Sequence, residues 1–312
     1  MQGLVIQYLY LGRVEYADGL RLQAEMVKLC FDERVGNVLL LLEHPPVLTL
    51  GRNANRANIL ASSQILAARG VTLHEINRGG DVTYHGPGQL VGYPIFDLRK
   101  MRHPASGSRL GPVDFVRLME ESLIGLCAEF GVAAMRICGL TGVWCGPPGL
   151  YSCPPGLDSL DENCGPSKKA SDPPSGERKI GAIGIHVSRG VTSHGFAFNV
   201  TTDLDGFRLI NPCGITDRPV TSLEKEIALT GKTAPEGSLA LEPLAHRAAV
   251  QFGRVFEQPV GAVESLTELD ESLREVAQSI HEAQAAPSVG VPLKMPKKIE
   301  QLLKRPQEPV RA

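Results

Sequence analysis

Two apolar runs, residues 180–187 and 191–200, follow one another closely, and both read as strands with small residues where something must approach the backbone. Paired with each other, they fold the ends of a longer stretch, residues 179–214, back toward one another. That stretch opens on Lys179-Ile180-Gly181-Ala182-Ile183-Gly184 and closes on Asn211-Pro212-Cys213-Gly214, so a lysine and a cysteine mark its two ends. An ammonium group near a thiol stabilises the thiolate, the form that attacks carbonyl carbons. The pattern points to Cys213 as an acyl-accepting nucleophile and Lys179 as its activating partner. Pro212 stiffens the chain before the cysteine and Gly214 leaves room after it, as in a loop that presents a side chain. The plainer alternative is a cysteine that only packs and a lysine that only solvates a face.

Strand and helix patterns alternate through the rest of the chain. Leu4, Ile6 and Tyr8 alternate as on a half-buried strand, and Leu20, Ala24, Val27 and Phe31 recur at helical spacing. Residues 38–42 and 47–50 read as strands separated by His44-Pro45-Pro46, where proline cannot continue a ladder. Residues 59–68 suggest a short helix ending at Gly70, and 71–76 the next strand. The clearest helix covers 112–130. Pro112 suits its first position, Val116, Met119, Leu123, Cys127 and Phe130 form one stripe, and Gly131 ends it. Strands are expected at 132–138 and 142–145, and a last core helix through Leu241, Leu244, Ala248, Phe252 and Phe256. Residues 264–285 read as an exposed helix and 287–312 as a loose basic tail.

Between the strands at 71–76 and 90–98 lies the densest run of the chain: Arg78-Gly79-Gly80-Asp81-Val82-Thr83-Tyr84-His85-Gly86-Pro87-Gly88-Gln89-Leu90. Glycine at this density lets backbone amides face a ligand closely. A plain connecting turn is the alternative, but it has little use for Arg, Tyr, His and Gln together, so the run reads as a binding loop. It is not a nucleotide-phosphate loop: the only Gly-Lys-Thr, at Gly231-Lys232-Thr233, has Glu226 where the first glycine belongs.

Composition excludes several classes. A net charge of −2 argues against a protein that works by neutralising nucleic-acid phosphates. No apolar window approaches the length of a membrane span, and the N-terminus carries no secretory or transit pattern, so the cytoplasm is expected. Seven cysteines at irregular spacing read as thiols. Residues 146–178 hold seven prolines and five glycines with almost no apolar periodicity, and are expected to form an extended or disordered excursion. Cys145, Cys153 and Cys164 lack any C-x-x-C pair, so no metal is expected there.

Taken together, the motifs resemble the lipoyl(octanoyl) transferases, the octanoyltransferase family of lipoate synthesis. The resemblance rests on 78–90 with Tyr93-Pro94, on Gly142-Val143-Trp144, on Lys179 through Gly184, on 192–199, and on Asn211 through Gly214. Several motifs in order are more specific than any one of them. The resemblance implies an α+β fold, a mixed sheet packed with helices like the catalytic domain of biotin and lipoate protein ligases. It implies a catalytic domain over 1–260 and a C-terminal extension over 261–312. The implied reaction moves an octanoyl group from octanoyl-acyl carrier protein to a lysine of a lipoyl domain, such as those of 2-oxoacid dehydrogenase E2 subunits and the glycine cleavage H protein, with no cofactor. Three segments match substrate-binding ones: Arg78–His85, Ala182-Ile183-Gly184 and Gly195-Phe196-Ala197. Gly214 is the candidate oxyanion donor, with His85 or His194 in support; His194 reads equally as a satisfied core histidine. Arg78 is open to two readings, a contact to the carrier's phosphopantetheine or an ion pair with a nearby acid such as Asp81. Three rival functions remain: an ATP-dependent ligase of the same fold, a cysteine thioesterase, and a module that only binds the acyl carrier.

Overall fold

The computed structural model describes residues 5–146, 176–212 and 218–285. Cys213, Gly214, Cys153 and Cys164, nearly all of the 146–178 stretch and the 287–312 tail lie outside the described residues.

Eight strands form the main sheet in the order β11-β1-β2-β6-β10-β9-β8-β7. They are β1 (Ile6–Arg13), β2 (Asn37–Glu43), β6 (Gln89–Ile95), β7 (Ala134–Ile137), β8 (Leu140–Cys145), β9 (Arg178–Ser188), β10 (Val191–Asn199) and β11 (Val260–Ala262). β1 runs parallel to β2 and β11, and every other neighbouring pair is antiparallel, which makes the sheet mixed. A small second sheet places β3 (Val47–Leu50) between β4 (Thr72–Glu75) and β5 (Val82–His85).

The main sheet is covered on both faces, which is why the middle of β2, residues 38–42, is uninterruptedly apolar. Leu39 and Leu41 enter a core under helices α3 (Pro112–Glu129), α4 (Leu223–Leu229) and α5 (Leu241–Phe256), whereas Val38, Leu40 and Leu42 enter a second core under α1 (Tyr16–Phe31). Successive side chains point to opposite faces, so a strand buried on both sides needs an apolar residue at every position. On α3 the expected stripe faces the first core, with Met119, Leu123 and Cys127 fully buried. A third core lies between the small sheet and residues 204–210, built from Leu48, Val82, Tyr84, Phe207, Leu209 and Ile210.

Three expectations change. Residues 78–90 are not one loop, because Val82–His85 form β5 and pair with β3 at Leu50↔Val82, Thr49↔Thr83, Leu48↔Tyr84 and Val47↔His85. The glycines on either side mask a four-residue run of β-forming residues. The short helix α2 spans Ser63–Ala68 and not 59–68, since the Ser62 hydroxyl accepts from the Ile65 amide and starts the helix there. Residues 264–285 are not one exposed helix. They break at Asp270, whose carboxylate accepts from Ser272 N at 2.9 Å, giving α6 (Leu266–Leu269) and α7 (Arg274–Ala285). Leu266, Leu269, Leu273, Val276 and Ile280 are buried in the second core.

Cys30, Cys127 and Cys145 are free and buried, but Cys138 is disulfide-bonded, which corrects the expectation that all seven cysteines are thiols. Among the described residues no helix is long and apolar enough to cross a membrane.

Candidate active site

The β9–β10 hairpin forms one wall of a cleft. Its register sets Gly184 opposite Gly195, Ile183 opposite Phe196 and Ala182 opposite Ala197, and all six residues line the cleft. The facing wall carries Arg78, Gly80, Thr83 and His85. The three segments picked from sequence therefore meet in one place. They do not do so residue for residue. Strand alternation on β5 sends Thr83 and His85 to the cleft and Val82 and Tyr84 into the third core. Gly79 lies against β9, where its N–H donates to Ile185 O at 3.0 Å. Asp81 ties the turn together, accepting from Val82 N at 2.7 Å, Asn55 N at 3.0 Å and Asn58 Nδ2 at 2.5 Å.

Arg78 is buried, and its guanidinium donates to Thr49 O, Thr49 Oγ1 and Gly79 O, each at 2.9 Å. Among the described residues Asp81 is not its ion-pair partner; that carboxylate is taken up by the turn instead. A side chain at Gly184 would put its Cβ 2.7 Å from Gly79 O. Gly184→Val is therefore expected to push the 78–80 turn off β9. It should raise KM for whatever substrate the cleft binds at least about tenfold, with a stability loss of about 1–3 kcal/mol by overpacking. Steady-state kinetics and thermal melting check both; wild-type KM in the variant would contradict the arrangement.

A chain of buried hydrogen bonds fixes the protonation of His85. Asn199 Nδ2 donates to the Thr221 carbonyl at 2.9 Å, which turns its Oδ1 toward Gln89 Nε2 at 2.8 Å. Gln89 Oε1 then faces His85 Nδ1 at 2.8 Å, so His85 carries its proton on Nδ1 and leaves Nε2 as an acceptor, 3.4 Å from Thr49 Oγ1. Burial, then the neighbouring His44, lowers the His85 pKa to about 3. Burial, then Arg78, lowers that of His194 to about 4, and its Nε2 meets Asn77 Oδ1 at 2.7 Å. Both rings are neutral near pH 7, and the N–H of each is spent inside the protein. Their geometry suits shaping the cleft better than donating to an oxyanion. His194 also has a left-handed backbone, φ 56°, held by its N–H to Gln23 Oε1 at 2.7 Å.

Below this cleft a second, smaller compartment shares Thr83, Ala182 and Ala197 with it and adds Lys179, Gln89, Asn199, Phe207, Pro212 and Val220. Lys179 is 8% exposed, and its backbone is pinned on both sides: Lys179 N donates to Pro219 O at 2.8 Å and Thr221 N to Lys179 O at 2.9 Å. Pro212, which precedes Cys213 in the chain, lines the compartment that Lys179 lines. On the far side, the fully buried Glu120 accepts from Gly142 N at 2.8 Å and is paired with Arg117 and Arg136, which anchors the strand beside the lysine.

Nothing local marks Tyr16 or Val91 as cleft residues, and Tyr93 is marked only as part of the Tyr93-Pro94 motif. Tyr16 opens α1, where its pattern is that of a core position, and it stacks on His85 at 6.0 Å. Tyr93 sits on a fully buried strand and donates its hydroxyl to His44 Nε2 at 2.6 Å, while His44 Nδ1–H donates to Val14 O at 2.6 Å. A phenol inside an otherwise apolar strand was the available signal, since a buried hydroxyl needs a partner.

The family model for the lipoyl protein ligase A/B catalytic domain matches residues 15–235. The chain belongs to the lipoyl protein ligase A/B catalytic-domain family. Within that family it is 52% identical over 279 residues to an octanoyltransferase of Acidobacterium capsulatum, covering 88% of this chain and 100% of that one. It is 46% identical over 265 residues to an octanoyltransferase of Koribacter versatilis, covering 85% and 90%. The resemblance drawn from the motifs thus holds, and this lipoyl protein ligase A/B family member is an acyltransferase. Its fold is similar to that of lipoate-protein ligase A bound with ATP, with a TM-score of 0.55, 16% identity, and coverage of 94% of this chain and 100% of that one. At that identity the likeness is one of fold, and it agrees with the mixed, helix-covered sheet expected from sequence.

Proposed function

We propose that this acyltransferase moves an octanoyl group from octanoyl-acyl carrier protein to a lysine of a lipoyl domain, through a thioester on Cys213. The observation that supports this most is the cleft itself. Three motif segments converge on it, and it continues into the compartment lined by Lys179 and by the residue before Cys213.

In the first half-reaction the Cys213 thiolate adds to the carbonyl carbon of the carrier thioester. The tetrahedral oxyanion, for which the Gly214 amide is the candidate donor, collapses; the bond to the phosphopantetheine sulfur breaks and that thiolate takes up a proton. In the second, the neutral amine of the target lysine adds to the Cys213 thioester. The bond to Cys213 sulfur breaks, Lys179 relays the proton the amine sheds, and the thiolate is restored. Exchange of one thioester for another is nearly balanced and amide formation runs downhill, so no nucleotide is consumed. The acyl tail would lie against Val91, Phe196 and Ala197. Removing its methylenes from water contributes on the order of 5 kcal/mol, at about 0.8 kcal/mol each. The acceptors would be the lipoyl domains of 2-oxoacid dehydrogenase E2 subunits and the glycine cleavage H protein. A cytoplasmic setting would keep the Cys213 thiol reduced, and the Cys138 disulfide is the observation that weighs against that setting.

Transfer assayed with octanoyl-acyl carrier protein and an apo lipoyl domain, without ATP, tests the reading. Octanoyl-lysine is expected to form at a rate ATP does not change, with little free octanoate. Modification that requires free octanoate and ATP would point to a ligase, and octanoate release without any acceptor to a thioesterase.

A further inference from the structure

The Gly142-Val143-Trp144 motif has no part in the cleft walls, yet it meets Lys179. Trp144 is fully buried, packed in a small core with Met135 and Ile137, and its Nε1–H donates to Leu140 O at 3.2 Å. The Lys179 ammonium lies 5.1 Å from the centre of the indole ring. Gly142 opens the way to it. Its φ is +123°, a conformation side chains rarely adopt, and a Cβ there would sit 2.8 Å from Lys179 Cε and 2.5 Å from Gly181 O. The register between β8 and β9 slips at this point, from Val143↔Gly181 to Trp144↔Lys179, so one extra residue on β9 bulges beside Trp144. A bulge re-aims the side chain next to it.

We infer that Trp144 is a positioning residue for the reaction, its ring face seating the Lys179 ammonium while Gly142 clears the path for the lysine stem. The inference rests on the proposed role of Lys179 beside Cys213. An ammonium on a flexible four-carbon stem has many positions open to it, and a desolvated indole face is the strongest aromatic seat for a cation. The ring is itself fixed by packing and by its N–H, so it can hold the charge in one place. Glu120 supports the same strand from behind through Gly142 N, which keeps the ring and the glycine in register.

Trp144 is the only tryptophan of the chain, so its fluorescence reports this one ring. Lys179→Met, which keeps the stem and removes the charge, is expected to move the emission maximum by about 3 nm or more, or to change intensity by about a fifth or more, whereas Lys179→Arg stays closer to wild type. An unchanged spectrum in Lys179→Met overturns the inference, and this arm leaves the tryptophan in place. Trp144→Leu is expected to raise the pH of half-maximal Cys213 alkylation by iodoacetamide, followed by peptide mass. It should also lower kcat about tenfold with KM within about twofold, and Trp144→Phe should recover part of both. A wild-type alkylation profile in Trp144→Leu overturns the positioning role. Should Lys179→Met itself leave that profile unchanged, the activating role of Lys179 fails, and the positioning role with it. The emission change then still shows whether the ring holds the cation.

Discussion

Acidification alone is expected to destabilise this protein steeply from about pH 6.5 downward, beginning before ordinary carboxylates titrate. His44, His85 and His194 are buried and neutral, with pKa values lowered to about 4, 3 and 4, in each case chiefly by burial. In the unfolded chain each would titrate near about 6.5. Below that pH the unfolded state binds protons that the folded state refuses, so the stability these groups contribute is fully present above about pH 6.5 and is lost as pH falls toward the folded values. Each histidine contributes a slope of up to about 1.4 kcal/mol per pH unit, and the three together about 4. Against a stability of about 5–15 kcal/mol, two to three pH units suffice. Equilibrium denaturation between pH 7 and pH 4 should show this slope. His194→Asn, which suits the left-handed backbone at that position, should reduce it by about a third. A stability that stays flat down to pH 4.5 would contradict the buried, neutral assignment of these rings.

Cys213→Ala is expected to lower turnover by about 10⁴-fold or more, equivalent to about 5.5 kcal/mol of transition-state stabilisation. The size follows from the chemistry. Without the sulfur there is no covalent carrier between donor and acceptor, and the two bulky partners would have to react directly in one complex. A packing cysteine behaves otherwise. Cys127 is fully buried in the first core, and its pKa is raised by its contact with Cys145 and by burial. Cys127→Ala should cost about 1 kcal/mol of stability and leave kcat within about twofold. The pair of variants separates a sulfur that reacts from one that fills space. Equal losses in both would remove the distinction on which the reading of Cys213 depends.

Much of this architecture was legible because the strongest signals were local. The hairpin 180–200, the helix at 112–130 and the apolar run at 38–42 each carry their period openly, and each is where its pattern puts it. What escaped was set by distant partners. β5 forms because Val47–Leu50 offers it a ladder, and nothing within Val82–His85 announces that partner. Half of the residues named from the 78–85 run face away from the cleft or brace the turn, because a strand divides its residues between two faces. The 266–280 segment joins a core because its apolar residues meet α1, although the break at Asp270 interrupts their period. Tyr16 and Tyr93 are far apart in the sequence and reach the same cleft only when α1 docks on the sheet. The buried Glu120 was least legible of all. A carboxylate in the middle of an apolar stripe looks like a solvated position until Arg117, Arg136 and the Gly142 amide surround it.

Intact-mass spectrometry after mixing the protein with octanoyl-acyl carrier protein, with no acceptor present, tests the central claim most directly. One octanoyl group is expected on the wild-type chain, labile to hydroxylamine, absent from Cys213→Ala, and discharged when an apo lipoyl domain is added. Failure of the wild-type chain to gain mass, or a stable adduct that survives in Cys213→Ala, would contradict a thioester at that residue.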